Sequence, residues 1–128
     1  MIYLGADHGG FAFKEKIKEF LDDELEIEYQ DLGNLKFEPG DDFVDYAVAV
    51  AKKVVETNGK GILFCTNGEG MCMAANKIKG IRAALCLTAK MARLTREHND
   101  ANILCLGARL ITGKEALKRK IGKRQDAP

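Results

Sequence analysis

Gly61 to Cys65 reads GILFC, an unbroken apolar run that halts at a thiol and a glycine-containing turn, CTNGEG. A strand with one wet face alternates apolar and polar residues, whereas a short continuous apolar run belongs to a strand covered on both faces, as in parallel sheets. The rest of the chain must then provide further parallel strands and the helices that cover them.

The flanking sequence has that form. Ile2 to Gly5 is a short apolar run stopping at Asp7, and Phe11 to Leu21 places Phe13, Ile17, Phe20 and Leu21 near helical spacing among lysines and glutamates. Leu25 to Tyr29 alternates apolar with acidic residues, the pattern of an edge strand, and Gly33 to Asp42 reads as loop. Phe43 to Glu56 is a second amphipathic helix, ended by Gly59 and Gly61. After the strand Gly61 to Cys65, Glu69 to Lys77 predicts a helix, Ile81 to Leu87 a strand, Thr88 to His98 a helix capped by Thr88, Ile103 to Leu106 a strand, and Thr112 onward a last helix. Five strands alternating with five helices through right-handed crossovers predict a doubly wound α/β fold, an open parallel sheet with helices on both faces.

With 128 residues, 46% of them apolar, the chain is expected to form one domain spanning 1–128. Twenty basic against nineteen acidic residues, without a block of like charge, argue against nucleic acid or an acidic membrane surface as partner. The N-terminus MIYLGADHGG lacks a secretory pattern and no window reaches the roughly 18 apolar residues of a membrane span, so a cytoplasmic protein is expected. Cys65, Cys72, Cys86 and Cys105 show no CxxC-type pairing, which argues against a disulfide framework or a zinc site.

Ligands of open parallel sheets bind beyond the carboxyl ends of the strands. The residues read as lying there are ADHGG, CTNGEG and LTAK after three strands, HNDAN just before the fifth, and Arg109 after it; His8 and His98, the two histidines, fall in this set. Cys65 has two readings, a small buried hydrophobe or a thiol whose pKa is lowered toward neutrality by the following helix N-terminus. Gly68 and Gly70 would let backbone N–H groups approach an anion. Asp7 and His8 could cap the first helix, and His98 could sit favourably at a helix C-terminus. Cys72, Cys86 and Cys105 read as core, Met71, Met73 and Met91 as core or interface, and the lysine-rich faces of the first and last helices as solvated surface.

ADHGG, GILFCTNGEGMCMAANK, GIRAALC and REHNDANILCLGAR, in this order and spacing, resemble the ribose-5-phosphate isomerase B family and its relatives acting on galactose 6-phosphate. The resemblance covers about residues 2 to 112. It implies a flavodoxin-like three-layer α/β/α sandwich with a five-stranded parallel sheet. It also implies an aldose–ketose isomerase working through a cis-enediolate, without metal or organic cofactor, in a homodimer or homotetramer whose sites take groups from two subunits. On that resemblance Cys65 would move the proton between C1 and C2, and His98 would assist ring opening. Asp7 and His8 would contact the sugar phosphate, Asn99 a hydroxyl, the turn Thr66, Asn67, Gly68, Glu69 and Gly70 the developing oxyanion, and Arg109 the phosphate. Family members usually carry CGTGIG where this chain has CTNGEG, DYPDYA where it has DFVDYA, and C-terminal arginines whose place Lys118, Arg119, Lys123 or Arg124 would take. These departures motivate the alternative of a weakly active or inactive relative that binds a sugar phosphate as a sensor or partner subunit.

Overall fold

The computed structural model describes residues 1–33 and 43–108. Arg109, most of the loop expected from Gly33 to Asp42, and the expected last helix lie outside the described residues. The elements are β1 (Ile2–Ala6), α1 (Phe11–Phe20), β2 (Tyr29–Asp31), α2 (Phe43–Thr57), β3 (Lys60–Cys65), α3 (Glu69–Ala75), β4 (Ala83–Leu85), α4 (Ala89–Asn99) and β5 (Ile103–Gly107).

All strand pairs are parallel, in the order β2-β1-β3-β5-β4. This exchanges the last two strands relative to the 2-1-3-4-5 order of flavodoxin itself. The burial pattern explains the exchange: β5 is buried at four of its five positions and takes an interior place, whereas the short, half-buried β4 lies at the edge. The GILFC run is buried throughout and sits mid-sheet. On one face Leu63, Cys65 and Cys105 pack with Val50, Val54 and Met71 from α2 and α3. On the other, Leu4, Ile62 and Phe64 pack with Phe13 and Ile17 of α1. These are the expected covered faces of a three-layer α/β/α sandwich.

Two local expectations are corrected. The strand expected over Leu25 to Tyr29 starts only at Tyr29, because a π-helical turn, Leu21–Leu25, prolongs α1. Leu21 is buried and Leu25 packs beside it on the α1-side core, so helical burial overrides the alternating pattern. Glu26, in the left-handed conformation at φ 52°, then ends the helix by donating its N–H to the Leu21 carbonyl. Nor is the lysine-rich face of α1 wholly solvated. Lys14 has no exposed side-chain surface and pairs with Asp31 at the end of β2, at 2.5 Å, and with Glu15 at 3.1 Å.

Candidate active site

The carboxyl ends of β1 and β3 lie side by side, and the Asp7 N–H donates to the Phe64 carbonyl across them. Asp7 is 8% exposed and caps the turn His8–Gly10, its carboxylate accepting the Gly10 N–H at 2.8 Å. Two glycines allow this approach. A Cβ on Gly9 would overlap the Thr66 hydroxyl, and one on Gly10 would stand 2.2 Å from the Phe64 carbonyl oxygen. On the other side, a Cβ on Gly107 of β5 would stand 2.5 Å from the Asn67 carbonyl oxygen. The CTNGEG turn is thus clamped between ADHGG and the glycine of LGAR. Gly9, Gly10 and Gly107 were not assigned roles from sequence, although all three lie within the motifs that carried the resemblance.

Within the turn, Gly68 has φ +87°, a conformation that strains any residue with a Cβ, and its N–H donates to Cys65 Sγ at 2.9 Å. Cys65 is buried, and its pKa is raised rather than lowered, correcting the expectation from the helix N-terminus. Burial is the largest cause, and the negative charge of Asp7 adds to it; hydrogen bonds from the N–H groups of Met71, Gly68 and Asn67 oppose both without cancelling them. The Gly68 N–H, expected to face an oxyanion, therefore faces the sulfur. Thr66 is half-buried, while Asn67, Glu69 and His8 are exposed at the mouth. The half-buried Gly70 lies against Phe43, which opens α2: a Cβ there would sit 3.2 Å from the ring.

Cys86 and Cys105 are buried free thiols and Cys72 a half-buried one, in keeping with their reading as core. Of the methionines, Met71 is buried, whereas Met73 and Met91 are 64% and 42% exposed. Among the described residues, no group of three or more His, Cys, Asp or Glu is arranged to hold a metal ion, and no helix is long and apolar enough to cross a membrane.

His98 and Asn99 do not join this group. Helix α4 runs from the carboxyl end of β4, where Thr88 caps it through a 3.0 Å bond from the Met91 N–H, to the amino end of β5. The HNDAN segment is thereby at the opposite end of the sheet from Cys65, correcting its placement in the crevice. One strand length, about 16 Å for the six residues of β3, separates the two ends. Both residues are exposed, and one chain does not bring them to the thiol.

A family model described as Ribose/Galactose Isomerase matches residues 2–121. The chain belongs to this family. Ribose-5-phosphate isomerase B of Mycobacterium tuberculosis is 39% identical over 117 residues, covering 91% of this chain and 72% of that protein. Among solved structures, Clostridium thermocellum ribose-5-phosphate isomerase B superposes with a TM-score of 0.87 at 43% identity, covering 92% of this chain and 79% of that one. The Mycoplasma genitalium enzyme, solved with bound ribulose 5-phosphate, superposes with a TM-score of 0.86 at 42% identity, covering 92% of this chain and 78% of that one. The flavodoxin-like fold inferred from the motifs is the fold these family structures share with this chain.

Proposed function

We propose that the chain is an aldose–ketose isomerase of the ribose-5-phosphate isomerase B type, interconverting ribose 5-phosphate and ribulose 5-phosphate. The observation that carries this reading is the buried Cys65 thiol, held by backbone N–H groups at the mouth of a glycine-rich turn, in a chain whose relatives bear that enzyme's name. Those relatives favour an active enzyme over a ligand-binding relative that has lost its chemistry.

The chemistry follows from the groups present. Moving a proton between adjacent carbons of an open-chain sugar phosphate requires a base near C1 and C2 and donors at the oxygen where charge develops. Cys65, as thiolate, takes the C2 proton of the aldose; a proton passes from O2 to O1 of the enediolate, and the Cys65 thiol returns a proton at C1 to give the ketose. A thiol with a raised pKa is a stronger base once ionised, and the Met71, Gly68 and Asn67 N–H groups stabilise that ionised form. The first N–H groups of α3, on Glu69 and Gly70, have no carbonyl partner within the helix and can donate to the enediolate oxygen. Asp7 and His8 line the sugar side of the mouth, with Thr66 and Asn67 on the facing turn, and Arg109, one residue past the described Ala108, binds the phosphate.

His98 and Asn99 act in the site of a second copy of the chain, where His98 assists ring opening and Asn99 holds a hydroxyl. Their exposure, and the absence of any buried residue on α4, support a surface that another subunit covers. The assembly is then a homodimer or homotetramer acting on a small sugar phosphate. A direct test is ketose formation from ribose 5-phosphate by the wild type and by Cys65→Ala. Turnover by the wild type alone is expected; equal rates in both would contradict the assignment of the base.

A further inference from the structure

GIRA, one of the motifs behind the family resemblance, has no part in the site described so far. Its arginine lies just before β4, at the same end of the sheet as His98 and Asn99. The Arg82 Nε donates to the Asn99 backbone carbonyl at 2.5 Å, in the last turn of α4. The Arg82 backbone is itself fixed: its N–H donates to the Asn102 side-chain oxygen at 2.8 Å, and its carbonyl accepts the Asn102 N–H at 2.9 Å. Asn102 in turn donates to the Gly80 carbonyl at 3.0 Å. A rigid backbone corner thus extends one charged donor to the residue beside His98.

Packing does not hold that turn. No residue of α4 is buried, and a cavity of about 350 Å³, lined in part by Arg82, Thr95 and Asn99, lies between the helix and β4. Beyond Asn99 the chain turns sharply at Asp100, φ 51°, whose N–H donates to the Thr95 carbonyl. Hydrogen bonds are therefore what orient the end of α4, and a guanidinium there also complements the negative end of the helix dipole.

We infer that Arg82 is a positioning residue for His98 and Asn99, fixing through the Asn99 carbonyl the direction in which both side chains leave the surface. The inference rests on the proposal that these two residues complete the site of a neighbouring subunit. A small displacement of such groups is costly, on the order of 100-fold in rate for about 1 Å.

The test has two arms. In the first, kcat and KM for ribose 5-phosphate are measured for the wild type, Arg82→Met, Arg82→Lys, His98→Ala and the double variant Arg82→Met with His98→Ala. Arg82→Met is expected to lower kcat roughly 10- to 100-fold with little change in KM. Arg82→Lys, which keeps a charged donor, is expected to recover part of the loss. In the His98→Ala background Arg82→Met should add less than it costs alone, because the part of its effect that passes through His98 is already lost. Full additivity, or wild-type kcat in Arg82→Met, would overturn the inference, whereas wild-type kcat in His98→Ala would overturn the shared-site reading beneath it. The second arm needs no turnover. The chain has two histidines, so imidazole NMR signals report each separately. Arg82→Met should shift and broaden the His98 signal and leave that of His8 in place; an unmoved His98 signal would contradict the positioning role.

Discussion

The reactive character of Cys65 is set by a contest among its neighbours. Burial and Asp7 disfavour the thiolate, and backbone donors favour it, with the balance on the side of the protonated thiol. Because the folded site raises the pKa, the base is mostly protonated at neutral pH. The ascending limb of kcat/KM should therefore continue upward through the ordinary thiol range instead of levelling near neutrality. Asp7→Asn keeps an acceptor for the Gly10 N–H but removes the charge, so the thiol pKa falls and the ascending limb moves to lower pH. A pH–rate profile of Asp7→Asn with its limb unmoved would show that Asp7 does not tune the thiol. The location of Cys65 was legible in the sequence, because an apolar run ending in CTNGEG marks a strand end. Its pKa was not: a helix N-terminus is visible in a sequence, but the burial and the facing carboxylate depend on ADHGG packing against the turn through Gly9 and Gly10.

Between elements, a buried ion pair joins α1 to the end of β2. Lys14 is enclosed, and Asp31 accepts from Lys14, from Lys18 at 2.9 Å and from the Gly33 N–H at 3.0 Å. Burial by itself would raise the Asp31 pKa, but these hydrogen bonds outweigh it and hold the carboxyl below its usual range. Asp31→Asn removes the carboxylate that the enclosed Lys14 shares with Lys18, and should destabilise the fold by about 3 kcal/mol in denaturant titration. The sign of the pH effect follows from the lowered pKa. The stabilisation is complete above the unfolded value near 4 and is lost as pH falls through the lower folded value. The acid limb of the stability curve should thus be flatter in Asp31→Asn, and a variant as stable as wild type would mean the pair is neutral. Helices and strands were legible from periodicity wherever apolar spacing was regular. The end of α1 was not, since Leu25, Ile27 and Tyr29 alternate as in a strand while Leu25 packs with the helix. Lys14 was misread for a related reason: its neighbours Phe13 and Ile17 mark the buried stripe, but a lysine within it signals burial only once Asp31 is known to face it.

For the whole molecule, sheet topology decides which residues can share a site. A helix crossing from β4 to β5 must deliver HNDAN to the amino end of the sheet, so His98 and Cys65 can meet only between copies of the chain. In a two-fold dimer each subunit would give its thiol to one site and its histidine to the other. Cys65→Ala is then inactive and His98→Ala strongly impaired on its own, yet mixing and reassembling equal amounts should restore about a quarter of wild-type activity, since half the dimers would be mixed and each would have one intact site. Activity no higher than that of the parents would place both groups in one subunit or neither in the chemistry. The strand ends were readable from sequence, but the side of the sheet to which HNDAN belonged was not, because proximity to β5 in sequence does not say which end of β5 is near. The central claim is that Cys65 moves a carbon-bound proton of a sugar phosphate. The most direct measurement is proton NMR of ribose 5-phosphate incubated with the protein in deuterated water. Ketose formation by the wild type, abolished in Cys65→Ala together with any deuterium at C1 of the ketose, is the predicted result; ketose formation that persists in Cys65→Ala, or none with the wild type, would contradict it.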